Sequence, residues 1–233
     1  PAIWKEDSIY YAVTGGRTNT GPGNKAMRST SLFSSQDLKI WKYEHNFMKN
    51  ECFLPPGEDA SCPYFWPIGN RYIFLFFSHT TGSQYLLGDY NKEEHCFYPT
   101  FHGRFNFMSF LPGGVHAPSA TSDGEGGVIV IHNMHTGKKS PGWRGITTLP
   151  RKLTLDKCDT INIQPYGDYK SLRTHHQHID KTHLPANKEI IIDNIQGNAL
   201  EIKAEINIKS SPMIEMNVLR SPDKEEFTSI KFF

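Results

Sequence analysis

Clustered histidines are the densest group of chemically active side chains in this sequence. His175, His176 and His178 stand close together, and His183 follows five residues later. Imidazoles form zinc sites when they are spaced four residues apart on a helix or combined with cysteines in short loops. Here the histidines lie in a polar segment without that spacing, which is typical of a solvated linker. The pattern therefore predicts no metal site, and no other cofactor is indicated.

The cysteines and the common catalytic motifs exclude several further kinds of chemistry. Cys52, Cys62, Cys96 and Cys158 form no Cys-x-x-Cys pair, so neither a zinc ribbon nor a redox dithiol is indicated. We expect free thiols, buried or half-buried. The sequence has no Gly-x-Ser-x-Gly elbow, Walker loop or Gly-x-Gly-x-x-Gly turn. Acyl transfer, nucleotide hydrolysis and hydride transfer therefore have no support.

The charge and hydrophobicity of the sequence argue against nucleic acid and membranes as partners. Charged residues make up 21% of the 233 residues and the formal net charge is +1, so no basic surface for nucleic acid is expected. The longest apolar run, residues 72–77, is too short to cross a bilayer, and no membrane partner is predicted. With 37% hydrophobic residues, the chain can bury a substantial core.

A proline-led pattern repeats three times in the first 155 residues. The copies start at Pro1, Pro63 and Pro118 and reach β-rich runs at 10–13, 72–75 and 128–131. Turn residues lie between each proline and its run, and two more strand candidates follow each copy. Units of about 55–60 residues with four short strands are typical of propeller blades. No stretch shows helical periodicity, so we predict an all-β chain.

The sequence changes character after residue 155. Polar residues dominate up to 187, and strand candidates follow at 189–192, 200–208 and 213–219. Residues 200–208 alternate strictly between apolar and polar, as in a strand with one solvated face. We predict a partial β-propeller of about three blades at 1–165, a linker at 166–187 and the beginning of a β-sandwich at 188–233.

Both ends of the sequence read as interior positions of a longer chain. Pro1 opens directly into a strand-like segment, and residues 227–233 end inside another. Natural termini are usually polar and frayed, so we expect a fragment. No targeting signal is readable, and the compartment stays unassigned, although a secreted or periplasmic protein would fit.

Two motifs resemble glycoside hydrolase family 32. Residues 61–69, Ser-Cys-Pro-Tyr-Phe-Trp-Pro-Ile-Gly, with Phe-Phe-Ser-His at 76–79, resemble the family segment built around Glu-Cys-Pro-Asp. Residues 142–151 resemble its Gly-Trp…Thr-Leu-Pro-Arg stretch, and the similarity extends from residue 1 to about 173. The resemblance implies a five-bladed β-propeller followed by a β-sandwich. It also implies retaining hydrolysis of β-fructosides by two carboxyl groups.

The resemblance aligns Ser61 with the family's acid/base glutamate. A serine hydroxyl cannot protonate a leaving oxygen at useful pH, so a neighbouring carboxyl would have to act instead. Asp59 ranks first because in an extended segment it shares the face of Ser61, Glu58 ranks second and Glu51 third. A solvated loop is the alternative for all three. The family's Asn-Asp-Pro nucleophile motif does not occur, so we expect the chain by itself to be inactive.

Seven residues are candidates for contact with an oligosaccharide or polysaccharide substrate. The resemblance implies that this substrate is fructoside-like. Aromatic faces stack on sugar C–H groups, and imidazole, amide and hydroxyl groups hydrogen-bond sugar hydroxyls. His116 precedes Ala117-Pro118 at the repeat position of Ser61 or Cys62, and so should face the same site. The candidates are Ser61, Tyr64, Trp66, His79, His116, Asn133 and Trp143, and the imidazoles of His132 and His135 could hydrogen-bond sugar hydroxyls as well. Inter-blade packing is the alternative for the aromatic residues, and a loop-orienting hydrogen bond for His79. A propeller that binds carbohydrate without cleaving it is the alternative function.

Overall fold

A computed structural model shows two compact units, Pro1–Gly167 and Asp168–Phe233. It describes residues 1–18, 21–50, 52–58, 60–105, 113–136, 142–143, 145–208 and 211–233. Strands make up nearly all of its regular structure, with short 3-10 helices at Pro22–Asn24 and Tyr169–Leu172. The prediction of an all-β chain is confirmed. No helix in the described part of the chain is long and apolar enough to cross a membrane.

The first unit consists of three antiparallel sheets that correspond to the three sequence repeats. Blade 1 contains β1 (Ala2–Glu6), β2 (Ile9–Thr18), β3 (Met27–Ser35) and β4 (Lys42–Asn46). Blade 2 contains β5 (Ser61–Ile68), β6 (Arg71–Ser78), β7 (Gly82–Asn91) and β8 (Cys96–Arg104). Blade 3 contains β9 (Gly113–Ser122), β10 (Val128–Thr136), β11 (Ile146–Thr147), β12 (Arg151–Leu155) and β13 (Ile161–Pro165). The first strands of neighbouring blades contact each other, β1 with β5 and β5 with β9, as in a propeller.

The middle blade is packed on both faces, which explains why β6 is apolar almost throughout. Phe74 and Phe76 belong to the cluster between blades 1 and 2, whereas Ile73 and Leu75 belong to the cluster between blades 2 and 3. Successive side chains of a strand point to opposite faces, so both faces of a doubly covered strand must be apolar. Both clusters contain fully buried side chains. The repeated strands therefore hold together by contacts between blades as well as within them.

Gly88 allows the outer strands of blade 2 to approach closely. The β7–β8 register shifts between Leu87 and Gly88, and a Cβ at Gly88 would lie 2.2 Å from the carbonyl oxygen of Tyr98 and 2.8 Å from the Phe97 ring. We expect Gly88→Ala to lower the free energy of unfolding by about 1–3 kcal/mol because the backbone oxygen cannot move away cheaply. Urea denaturation measures the change. Gly16→Ala in β2 is the control, since its nearest contact is 4.0 Å away, and equal losses in both variants would contradict the explanation.

The four cysteines are free thiols, as expected, but three of them are exposed. Only Cys96 is buried, and burial raises the pKa of its thiol above the ordinary value. The expectation of buried or half-buried thiols is therefore wrong for Cys52, Cys62 and Cys158. Cys52 lies in a loop, Cys62 at a bulge of β5 and Cys158 in a turn.

The second unit contains one antiparallel hairpin, β14 (Ile214–Val218) with β15 (Thr228–Phe232). The strands predicted at 189–192 and 200–208 do not form. Leu200, Ile202 and Ile208 remain 37% to 48% exposed, and no strand among the described residues of this unit pairs with them. An alternating segment becomes a strand only when a neighbour completes its hydrogen bonds, and the described part of the chain offers no such neighbour. A β-sandwich in this part of the chain stays a prediction.

The boundary between the units falls after Gly167, so residues 168–187 of the segment predicted as a linker belong to the second unit by their contacts. Arg173 donates two hydrogen bonds of 2.6 Å to the Glu201 carboxylate, which ties this segment to the region before β14. The pairing raises the pKa of Arg173 and lowers that of Glu201. The histidine-rich part of the segment is exposed to solvent.

Candidate functional site

A bulge with strained backbone interrupts the first strand of blade 2. Ser61 pairs with Phe77 and Tyr64 pairs with Leu75, so Cys62 and Pro63 together lie opposite one residue of β6. Cys62 has a φ of 52°, a left-handed conformation that is rare for a non-glycine residue and disfavoured before proline. Strain of this kind persists only where the surrounding structure enforces it, and it concentrates at functional sites.

Blade 3 repeats the same bulge. His116 pairs with Asn133 and Pro118 pairs with His132, which leaves Ala117 as the extra residue, with a φ of 43°. His116 therefore stands in blade 3 where Ser61 stands in blade 2, one position before the bulged residue. The bulge aims both side chains at the same end of the two neighbouring first strands.

Aromatic rings connect the two bulges. The Phe77 ring, opposite Ser61, lies 5.4 Å from the His116 ring and 5.1 Å from the His79 ring, measured between centroids. His116 stacks on His135 with a centroid distance of 4.0 Å and an interplanar angle of 21°. His79 and His116 thus both contact Phe77, the pairing partner of Ser61, and His135 adjoins them by stacking on His116. We call these four rings the histidine cluster.

The electrostatic surroundings of His116 favour its neutral form. Its Nδ1 lies 3.1 Å from the carbonyl oxygen of Asn133. Burial lowers the pKa of His116 below its ordinary value, the charge of His135 lowers it further, and the Asn133 carbonyl opposes the shift. Two stacked imidazoles repel each other when both are charged, so the pair disfavours double protonation.

His132 lies inside the protein. It is 1% exposed, its ring is 4.8 Å from the Phe105 ring, and neither ring nitrogen has a hydrogen-bond partner among the described residues. Burial, followed by the charges of Arg151 and His116, lowers its pKa to about 4. The expectation that His132 could bind a sugar hydroxyl is wrong, because this side chain points from β10 into the packing between blades 2 and 3.

The aromatic candidates of β5 face the interior between blades. Tyr64 and Trp66 pack against the cluster between blades 2 and 3, while Phe65 lies in the cluster between blades 1 and 2, so successive side chains of β5 alternate between the two faces. The indole nitrogen of Trp66 is buried without a partner among the described residues. These contacts favour a packing role for both rings. Trp143, by contrast, is 51% exposed and presents an accessible aromatic surface.

Comparison with known proteins identifies the family. The model of the glycosyl hydrolases family 32 N-terminal domain matches residues 1–165. The chain belongs to glycosyl hydrolase family 32.

The curated proteins that this chain resembles are named sucrose-6-phosphate hydrolases. A sucrose-6-phosphate hydrolase of Vibrio alginolyticus is 26% identical over 247 residues, covering 97% of this chain and 47% of the relative. One from Zymomonas mobilis is 27% identical over 193 residues, covering 74% and 36%. The chain therefore spans less than half the length of the curated relatives it matches.

Solved structures support the propeller fold. A family 32 β-fructofuranosidase of Bombyx mori superposes with a TM-score of 0.57 at 21% identity, covering 76% of this chain and 39% of that one. A sucrose-6-phosphate hydrolase of Lactobacillus gasseri superposes with a TM-score of 0.54 at 18% identity, covering 74% and 37%. At these identities the similarity establishes the fold.

Of the three carboxyl candidates for the acid/base, only Glu58 is among the described residues, and it lies in the loop before β5. Glu58 is half-buried, and its Oε1 accepts a hydrogen bond of 3.2 Å from the amide of Ala60, two residues away. Ala60 itself has a φ of 45°, so the loop turns sharply just before Ser61. Asp59 and Glu51 lie outside the described residues. Their ranking stays a prediction.

A buried amide–imidazole pair at the same end of blade 2 was not predicted. Gln84 is 2% exposed, and its Oε1 accepts a hydrogen bond of 2.6 Å from Nε2 of His102, while its amide donates to Thr81. Burial, and then Arg104, lowers the pKa of His102. The only available signal was a glutamine in an otherwise apolar stretch of β7, and no local pattern connects it to a residue 18 positions away.

Proposed function

We propose that this chain supplies part of the sugar site of a retaining hydrolase of the β-fructosidase type. The proposed substrates are β-fructosides, with sucrose and its 6-phosphate first because of the names of the curated relatives. The observation that carries the proposal is the strained bulge that aims Ser61 and His116 at one end of adjacent first strands. This bulge lies within the segment that resembles the family's acid/base motif.

The proposed chemistry is a double displacement at the anomeric carbon. One carboxylate attacks this carbon and forms a covalent bond to the sugar while a carboxylic acid protonates the leaving oxygen. The second residue, now deprotonated, takes a proton from water, and the water oxygen displaces the first carboxylate from the sugar. Ser61 cannot supply that proton, so Asp59 is proposed as the acid/base, ahead of Glu58 and Glu51. The 233 residues contain no Asn-Asp-Pro motif for a nucleophile, and we propose that this chain by itself is inactive.

The proposed roles of the other side chains follow from their positions. Ser61, His116 and Asn133 would hydrogen-bond sugar hydroxyls beside the two bulges. His79 and Trp143 are exposed and would contact the substrate at the rim. Tyr64 and Trp66 would act through packing behind β5, since both face the cluster between blades.

The acid/base assignment is tested by Asp59→Asn in the complete gene product. We expect kcat on sucrose to fall at least about a hundredfold with little change in KM, because the acid acts on the leaving oxygen in the transition state. Release of fructose measures the effect. Glu58→Gln and Glu51→Gln examine the second and third candidates, and Glu93→Gln in the exposed β7–β8 turn is the control. Wild-type activity in all three candidate variants would reject a carboxyl acid/base in this loop.

A carbohydrate-binding propeller without hydrolytic activity is the second candidate. The observation that favours it is Ser61 at the position where the family has its glutamate. Calorimetry with sucrose, inulin and levan, alongside an assay for released sugar, separates the two functions. Binding without release would favour the second candidate, and release of fructose would reject it.

A further inference from the structure

An open cleft lies between blades 2 and 3, at the end opposite the bulges of β5 and β9. It is lined by β7 and β8 of blade 2 and by the turn between β12 and β13, residues 156–160. The bulges lie where β6 ends, whereas Arg71, which also lines the cleft, is the first residue of β6. The strand turns at this end, residues 69–70, 92–95, 123–127 and 156–160, all belong to the described part of the chain.

Aromatic and aliphatic side chains form one wall of the cleft. Tyr85 and Leu87 line it from β7 and Phe101 lines it from β8, with the Tyr85 and Phe101 rings 6.2 Å apart between centroids. Phe101 pairs with Leu87 in the sheet and remains 50% exposed, so part of its ring is open to a ligand. Such a ring stacks on the C–H groups of a sugar. The cleft holds about 290 Å³, near the lower end of the about 300–1,000 Å³ of small-molecule sites.

Polar groups form the other wall, and Arg71 holds them in place. Its guanidinium donates to the carboxylate of Asp159 in blade 3 and to Oγ1 of Thr100 in blade 2, the latter at 2.6 Å. Its Nε lies 2.8 Å from the carboxylate of Asp89, and the Arg71 side chain is only 14% exposed. A carboxylate accepts several hydrogen bonds, so Asp159, with 47% of its side chain exposed, can also accept one from a ligand hydroxyl.

The charge balance of the cleft favours a neutral ligand. Among the described residues that line it, Arg71 and Asp159 carry the charges, and Asp89 adds a second carboxylate on Arg71. One cation with two anions repels a phosphate or a carboxylate ligand. Both carboxylates are already paired with Arg71, which makes the cleft a poor site for a cation. A neutral polyhydroxyl compound matches both walls, because its C–H groups suit the rings and its hydroxyls can donate to the carboxylate.

We propose that this cleft binds a neutral sugar, with one face of the sugar ring against Phe101 and a hydroxyl donating to Asp159. The proposal goes beyond the proposed function, because it requires no hydrolysis and none of the residues beside the bulges. A site of this kind holds a carbohydrate chain at the protein surface without taking part in the chemistry.

Cys158 reports directly on occupancy of the cleft. Its thiol is free, and the residue is exposed and lines the cleft. We expect sucrose and kestose to slow alkylation of Cys158 by iodoacetamide severalfold in the complete gene product, as followed by peptide mass spectrometry, because a bound sugar covers the thiol. Glycerol at the same osmolality should leave the rate unchanged. Cys62, exposed at the bulge of β5, reports on the other end of the blades in the same sample.

Two substitutions test the contacts. Phe101→Ala removes the ring, and Asp159→Gly removes the carboxylate while glycine readily adopts the φ of 57° found at this position. We expect each substitution to raise the sugar concentration that gives half-maximal protection of Cys158 about tenfold, equivalent to about 1.4 kcal/mol. Tyr43→Ala is the matched control, since Tyr43 is a 49% exposed aromatic residue of blade 1 outside the cleft, and protection should be unchanged.

Two results would overturn the inference. The first is alkylation of Cys158 in the wild type at the same rate with and without sugar. The second is protection of Cys158 that stays at the wild-type level in either Phe101→Ala or Asp159→Gly. Failure of the proposed function has a different signature, since the wild type would then release no fructose from sucrose while Cys158 is still protected.

Discussion

Replacement of Phe47 by alanine is expected to lower the free energy of unfolding by about 3–5 kcal/mol. Phe47 is completely buried, and its ring lies 5.0 to 6.1 Å from the rings of five aromatic neighbours. These neighbours are Trp4, Phe65, Phe74, Tyr90 and Phe97, which belong to both blades. Truncation would leave a cavity where blades 1 and 2 meet, and rings held by so many contacts cannot collapse to fill it.

The backbone at Phe47 adds to the expected effect. Its amide donates to the carbonyl of Thr30 in blade 1, and its carbonyl accepts from the amide of Phe97 in blade 2, both at 2.9 Å. Lys49 continues the connection by donating to the carbonyl of Phe97, again at 2.9 Å. The segment after β4 is therefore bonded to both blades, and loss of the ring would weaken the contact that aligns these bonds.

Urea denaturation of the wild type, Phe47→Leu and Phe47→Ala measures this effect. We expect the leucine variant to lose less than the alanine variant, since it keeps most of the apolar volume. Phe101→Ala is the matched control because Phe101 is 50% exposed, and its loss should be within about 1 kcal/mol. Similar losses for Phe47→Ala and Phe101→Ala would contradict the role of Phe47 as the centre of the blade contact.

The propeller could be predicted because short stretches of sequence are enough to indicate its strands and turns. Prolines, turn residues and short apolar runs recur at nearly constant spacing, and each copy became one antiparallel sheet. The burial of Phe47, by contrast, could not be predicted from such local patterns. Phe47 follows β4 in an irregular segment, where no periodicity marks a side chain as buried, and only the neighbouring blade makes it part of the core.

The candidate site could be predicted in part, for a similar reason. The repeat placed His116 at the position of Ser61, and the register of the two bulges agrees with that placement. The stack of His116 on His135 was not predictable, because a bulge changes the direction of the side chains around Ala117 and alternation cannot show it. The inward direction of the His132 side chain, by contrast, could be predicted from the sequence. His132 shares the parity of the buried Val128 and Val130 along β10, which indicates an inward side chain.

Acid should destabilise the protein through His132. An isolated histidine has a pKa near 6.5, and in the folded protein burial lowers the pKa of His132 to about 4. Between these two values the unfolded chain binds a proton that the folded chain does not, so the free energy of unfolding falls as the pH falls. From pH 7.5 to pH 5 this residue should account for a loss of about 2 kcal/mol, at 1.36 kcal/mol for each unit of pKa shift.

His132→Leu should remove this contribution. Leucine does not titrate, and it leaves no unpaired ring nitrogen in the packing between blades 2 and 3, so we expect stability at pH 7.5 to be equal to the wild type or higher. Urea denaturation at pH 7.5, 6 and 5 should show a pH dependence flatter than that of the wild type by about 2 kcal/mol. The same substitution at the exposed His176 should leave the pH dependence unchanged. A wild-type slope in His132→Leu would mean that another group carries the acid sensitivity, and His132 would then be protonated in the folded state without cost.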